Sequence, residues 1–378
     1  MKGPERIAVL GAGGFLGSHL VAALLARPDV EVDAVDVTLD KLGLQPPERE
    51  RRLRRVRARL DAPGVGGAGL GGASLGGASL IDEVVERCGT VVSMTALCNP
   101  SLYNTRPIDV IDANYTDLVP LVKACAARGR RLVHFSTCEV YGRVALEGQG
   151  LPSPLMSEAR TGFFLGPVAQ ERWTYACAKQ LLERLIWAHG RHEGLGFTII
   201  RPFNVIGPRM DFVPGVDGEG VPRVLASFMA ALLRGEPLQL VDGGQQRRSF
   251  ISVEDFTDAI VRIIERPAAC GGEILNVGNP ANDVTIRALA AALAEVYAAR
   301  VPGATRASLV DVTAEAFYGP GYDDTHERLP DIARARQLLD WEPRTTLAEM
   351  LPGIVDDYVA RYGARLAESP TRAASGRR

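Results

Sequence analysis

The chain has 378 residues, of which 46% are hydrophobic, so it can bury a sizeable core and is not a wholly disordered polymer. Its 43 basic and 45 acidic residues leave a net charge of -2, which supplies no global field to draw it to nucleic acid or to an anionic membrane. The cysteines Cys88, Cys98, Cys125, Cys138, Cys177 and Cys270 are dispersed, with no CxxC pair and no histidine cluster beside them. Neither a disulfide framework nor a metal site is expected, and a reducing cytoplasm suits them. The apolar run Ile7 to Leu10 is too short for an export signal or a membrane span, so neither export nor an anchor is expected.

In chain order, Ile7 to Leu10 reads as a strand, Leu16 to Leu25 as a helix and Val32 to Val37 as a second strand, which is a βαβ unit. Between the first strand and the helix lies Gly11-Ala-Gly-Gly14-Phe15-Leu16-Gly17, a GxxGxxG loop. Glycines there permit unusual dihedrals, leave room for a pyrophosphate and let the helix pack closely on the strand; the phosphates then meet a helix N-terminus. Asp36 ends the second strand, where a carboxylate can bond both ribose hydroxyls of NAD and would repel the 2′-phosphate of NADP, so NAD is the expected cofactor. Asp61, after a third short strand, lies either near the adenine or at the surface, and Thr95 follows the strand Thr90 to Met94 into the same cofactor set.

The arginine-rich stretch 48–59 reads as a solvated face, and Gly64 to Leu80, with GGASL twice in tandem, as a flexible surface insertion. Further strands at Thr90 to Met94, Arg131 to Ser136 and Phe197 to Pro202 extend a parallel sheet with helices on both faces. The expected class is α/β, a Rossmann-type doubly wound sheet with a smaller C-terminal α/β lobe for the substrate. Residues 1–203 form the dinucleotide domain, to which 249–280 returns. Residues 204–248 and 281–362 form the substrate lobe, and 369–378 is a disordered tail.

Tyr175-Ala-Cys-Ala-Lys179 places a tyrosine and a lysine one helical turn apart. An ammonium beside the phenol favours phenolate, so Lys179 is expected to lower the Tyr175 pKa for proton transfer. Upstream, Phe135-Ser-Thr137-Cys138-Glu139-Val-Tyr-Gly142 ends a strand at the carboxyl edge of the sheet, where Thr137 can bond the same substrate hydroxyl. His134 and His189 have no serine elbow with them and read as packing or surface residues.

Glycine loop, Asp36, strand end and YxxxK together resemble the extended short-chain dehydrogenases/reductases. Tyr103-Asn-Thr-Arg-Pro107, His134 to Gly142, Arg172 to Leu181, Arg201-Pro-Phe-Asn204, Gly207-Pro-Arg-Met-Asp211 and Phe317 to Asp324 further resemble the UDP-apiose/UDP-xylose synthases. That resemblance implies NAD-dependent oxidation of UDP-glucuronate at C4, decarboxylation, and ring contraction to UDP-apiose or reduction to UDP-xylose. It implies redox roles for Tyr175 and Lys179, and acid/base and carboxylate-recognition roles for Glu139, Arg172 and Arg328. Nucleotide-binding roles follow for Asn204, Arg223, Arg248 and Tyr322, and proton-carrying roles for Cys98 and Cys138. Related dehydratases carry Asp-Glu where this chain has Cys138-Glu139, and aminoarabinose-pathway decarboxylases carry Ser-Glu; Gln239 stands where the resemblance implies a lysine in both the UDP-apiose/UDP-xylose synthases and the aminoarabinose-pathway decarboxylases. A homodimer paired through the YxxxK helix is also implied. Decarboxylation that stops at UDP-xylose or the 4-keto-pentose, C4 epimerisation, and a non-catalytic NAD-binding regulator are the alternatives.

Overall fold

The computed structural model describes residues 4–60, 77–142, 155–159, 161–162, 165–318, 325 and 327–367. Its strands are β1 (Glu5–Leu10), β2 (Val30–Asp36), β3 (Leu53–Arg57), β4 (Thr90–Ser93), β5 (Arg131–Phe135), β6 (Leu155–Met156) and β7 (Phe197–Pro202). They continue with β8 (Asn204–Ile206), β9 (Leu238–Val241), β10 (Arg247–Ser252), β11 (Glu273–Val277), β12 (Asp283–Thr285), β13 (Leu309–Val312) and β14 (Leu329–Pro330).

Seven strands form one sheet in the order β11-β7-β5-β4-β1-β2-β3, every pair parallel. A strand buried on both faces must be apolar at both parities, and β1 is: Ile7 and Val9 join one core, Ala8 and Leu10 the other. The strand order reverses at β1/β4, the crevice where doubly wound sheets bind ligands beyond their carboxyl ends. The first core is continuous with the C-terminal helix Leu347–Ala367 through Ile354, Val355, Tyr358 and Tyr362, so both halves of the chain share one apolar interior.

Three expectations change. Of the later strands only β11 returns to the main sheet. β10 pairs with β8 and β12, and β9 pairs with β13, because β11 already occupies the edge beside β7. Residues 77–80 of the expected insertion belong to the helix Gly77–Arg87, in which Leu80 is fully buried; residues 64–76 lie outside the described residues, as does the tail 369–378. Within 48–59, Arg51, Arg57 and Arg59 are exposed as a solvated face would be, but three arginines are structural pins: Arg54, with Arg87, converges on the buried Asp33, Arg55 pairs with Glu50, and Arg52 donates to the carbonyls of Leu25, Arg27 and Val30. No helix of the described residues is long and apolar enough to cross a membrane.

Candidate active site

The loop after β1 curls under the helix Phe15–Leu25, and Gly11, Gly13 and Gly17 each stand where a side chain would meet backbone. Gly11 has φ 90° and a Cβ there would lie 2.9 Å from the Met94 carbonyl carbon. Gly13, which the GxxGxxG spacing passes over, is tighter still: a methyl group would run into the Thr38 carbonyl oxygen. Its N–H donates to Asp36 Oδ2 at 2.9 Å, so the residue also orients the carboxylate at the end of β2. We expect Gly13→Ala to raise the NAD dissociation constant by roughly tenfold or more, since backbone must move against the pyrophosphate site; fluorescence titration with NAD measures it.

A cavity of about 680 Å³ runs from Gly11, Gly14, Phe15, Leu16, Gly17 and Asp36 past Thr95 to Thr137, Tyr175 and Lys179. A second, of about 600 Å³, is lined by Arg172 and Arg248 among others. Cys98, Glu139, Asn204, Arg223 and Arg328 line both, and form the seam between them. Asp61 and Tyr322 lie outside the described residues. The donor set of the first cavity fits a dinucleotide. Thr95 Oγ1 and Ser136 Oγ are buried without a partner among the described residues, the glycine cradle keeps side chains out, and the Asp36 carboxylate retains acceptor capacity beyond its bonds to Gly13 and Thr38.

Tyr175 lies on the helix Thr174–Glu193, packed flat on Tyr103 with ring centroids 5.3 Å apart and planes at 12°. Tyr103 is buried, and its hydroxyl donates to the Cys98 carbonyl at 3.2 Å. It lines the first cavity, and the Arg172 guanidinium lies 5.5 Å from its ring centroid. Burial pushes the Tyr175 phenol well above its ordinary value, with Cys98 and Glu139 adding to the rise and a hydrogen bond with Thr137 opposing it. The expected lowering by Lys179 is therefore not what the chain alone achieves. Lys179 is itself pulled down to about 8 by burial and spends a donor on Phe135 O at 3.0 Å.

Thr137 caps the short turn Cys138–Tyr141 by accepting from Glu139 N at 3.1 Å, which points Glu139 into the seam. There Arg172 Nη1 donates to Glu139 Oε2 at 2.6 Å and Arg328 Nη1 to Oε1 at 3.1 Å. Burial works against that carboxylate, but the two guanidiniums outweigh it and hold its pKa down to about 2. The folded value lies below the unfolded one, so this stabilisation is complete above pH 4.5 and is lost as pH falls towards 2. Unfolding free energy should consequently fall more steeply between pH 4.5 and 2 in the parent than in Glu139→Gln, as denaturant titrations at stepped pH would show.

Burial also raises the pKa of Cys138, against the pull of Arg328, so at neutral pH it is a thiol with a proton to give. Among the other cysteines, Cys88, Cys125 and Cys270 are buried and Cys177 is exposed, and no group of ligands suited to a metal ion occurs among the described residues. Arg248, on β10, donates from Nη1 to the Arg247 carbonyl at 2.7 Å and lines the far cavity beside Gln239. His134 is buried and driven well below its usual pKa by desolvation, while His189 bonds Glu193 on its own helix.

Comparison with known proteins agrees with this geometry. Residues 7–278 match the NAD dependent epimerase/dehydratase family. The UDP-D-apiose/UDP-D-xylose synthase of Oryza sativa subsp. japonica is 44% identical over 368 residues, covering 92% of this chain and 87% of the relative. UDP-D-apiose/UDP-D-xylose synthase 1 of Arabidopsis thaliana is 43% identical over 367 residues, with 92% and 90% covered. The crystal structure of the PbgP3 protein from Burkholderia pseudomallei superposes with a TM-score of 0.79 at 31% identity, covering 96% of this chain and 98% of that one. The chain therefore belongs to the NAD dependent epimerase/dehydratase family of extended short-chain dehydrogenases/reductases, in the branch of the UDP-D-apiose/UDP-D-xylose synthases.

Proposed function

We propose that the protein converts UDP-glucuronate, through oxidation at C4 and loss of carbon dioxide, to UDP-apiose and UDP-xylose, with NAD held in the Gly11–Gly17 and Asp36 pocket. The observation that carries this reading is the pair of guanidiniums, Arg172 and Arg328, converging in the seam one short turn from Thr137 and on the side of Tyr175. Glu139 balances one of the two charges, which leaves one buried positive charge that the carboxylate of a sugar acid would neutralise and a neutral sugar would not.

When bound, NAD would accept the hydride from C4 and return it to the C4 ketone, giving the xylose product, or to the branch aldehyde left by ring contraction, giving the apiose product, while its ring charge would favour phenolate nearby. Tyr175 takes the proton from the C4 hydroxyl, with Thr137 bonded to the same phenol and Lys179 supplying positive charge one turn along the helix. Arg172 and Arg328 orient the carboxylate, so that once C4 is a carbonyl the C5–carboxylate bond breaks into it as an enolate. Glu139 stays an anion and holds both arginines in place. Cys138, a buried thiol, and Cys98, on the cavity wall, carry protons during cleavage and re-formation of the carbon skeleton. Asn204, Arg223 and Arg248, with Tyr322, hold the uridine diphosphate.

We further infer a homodimer. Ile108 and Ile111 of the helix Pro107–Asn114 and Leu181 and Trp187 of the helix Thr174–Glu193 are exposed on two helices that pack together, apolar surface that a second copy would cover. Free cysteines throughout the described residues favour the cytoplasm. Incubation with UDP-glucuronate, with carbon dioxide trapped and products identified by NMR, tests the assignment: release of carbon dioxide with a branched pentose is expected. No release would refute it, and UDP-xylose alone would remove the ring-contraction step.

A further inference from the structure

Of the four described non-glycine residues with left-handed backbone, two fall in one segment, Gly207-Pro-Arg-Met-Asp211: Arg209 at φ 63° and Asp211 at φ 52°. Such conformations persist only where surroundings enforce them, and they gather at functional sites. Enforcement here comes from two directions. On the dinucleotide side, Lys41 Nζ donates to the carbonyls of Arg209 at 3.0 Å and Asp211 at 3.3 Å, and Arg209 Nη1 donates back to Lys41 O at 2.9 Å. From the helix Leu347–Ala367, Asp357 Oδ2 accepts from Arg209 N at 2.8 Å and the Tyr358 hydroxyl donates to Met210 O at 2.7 Å.

The product of this strain is the direction of one carboxylate. Asp211 Oδ2 accepts from Arg223 N at 2.9 Å and from Arg223 Nε at 3.1 Å. That engages the inner edge of the guanidinium and leaves Nη1 and Nη2 without a hydrogen-bond partner among the described residues. Arg223 lines both cavities, its guanidinium carbon 6.0 Å above the ring centroid of Phe15 in the glycine loop. A planar fork whose terminal nitrogens are unspent, on a residue that lines both cavities, has the donors that grip phosphate oxygens.

We propose that Asp211 is a positioning residue for diphosphate recognition: its left-handed backbone and its bond to Arg223 aim the free end of that guanidinium at the diphosphate of the nucleotide sugar. This rests on the nucleotide-sugar reading above. Aspartate and asparagine tolerate the left-handed region where most side chains do not, so Asp211→Asn keeps the backbone and removes the charge, while Asp211→Gly keeps the backbone and removes the side chain.

The test is calorimetric titration of the full-length, NAD-loaded protein with UDP, which needs no turnover. Asp211→Asn is expected to raise the UDP dissociation constant about tenfold and Asp211→Gly roughly 10- to 100-fold, the loss of a charge-assisted bond. The KM for the nucleotide sugar rises in step, kcat moves less than about threefold, and NAD content and melting temperature stay at parent values. Adding Arg223→Ala to either variant costs no more than Arg223→Ala alone, because Asp211 acts through that residue. UDP affinity within about twofold of the parent in both variants overturns the proposal, as does a joint fall in UDP affinity, NAD content and melting temperature. A parent that binds UDP but does not turn over UDP-glucuronate sinks the substrate assignment and leaves this inference standing. A parent that does not bind UDP ends both.

Discussion

Replacing Tyr175 by phenylalanine should lower kcat by about 10²- to 10⁴-fold while the protein keeps its NAD and its melting temperature. The size follows from what is removed. Tyr175 is buried, its ring rests flat on Tyr103, and its hydroxyl is the polar group that meets Thr137. Phenylalanine retains the stacked ring and therefore the packing, so a loss of rate cannot be charged to a collapsed site. The buried phenol is held well above its ordinary pKa, which makes its activation depend on positive charge brought close to it. Steady-state kinetics on UDP-glucuronate, with bound NAD measured by absorbance, distinguish the cases. A variant within tenfold of the parent would place the base on another residue.

A second large effect is expected one helical turn beyond Lys179. Glu183 accepts from Arg201 Nε at 2.9 Å and from Nη2 at 2.6 Å, both side chains being buried. Arg201 Nη1 also donates to the Tyr141 hydroxyl at 2.9 Å, which donates in turn to Asn276 Oδ1 at 2.8 Å. One paired charge thus ties the Tyr175 helix to β7, to the turn carrying Cys138 and Glu139, and to β11. Glu183→Ala leaves a guanidinium in an apolar interior without its counter-charge and should cost about 3–5 kcal/mol of unfolding free energy. The double replacement Glu183→Leu with Arg201→Met should cost clearly less, since it removes both ions. Urea denaturation of the three proteins checks this, and a single-variant loss below about 1 kcal/mol would contradict it.

The parts of this molecule that sequence reveals are those written in short-range spacing. The alternation of strand and helix, the glycine loop and the one-turn separation of Tyr175 and Lys179 are each contained within a few dozen residues, and the structure brings them round one cavity. What spacing does not disclose is pairing across the chain. Gly13 owes its importance to Thr38, Tyr103 to Tyr175, and Asp211 to Lys41, Asp357 and Arg223. The placement of β10 away from the main sheet belongs with these, since its apolar pattern is equally compatible with either partner and β11 decides the matter by occupying the edge. Electrostatics behaved likewise: proximity of a lysine suggested an acidified tyrosine, and burial, which composition does not report, reversed the sign.

The short pairing of β14 with β6 has a consequence for the order in which the protein becomes an enzyme. Arg328 immediately precedes β14, and its partner Glu139 lies 189 residues earlier in the chain. During synthesis, the glycine loop, Asp36 and all seven main-sheet strands are made before Arg328. A nascent chain can therefore assemble most of its dinucleotide pocket while the seam still lacks one of the two cations that would receive a sugar acid. Competence arrives late, with the docking of the last β-strand.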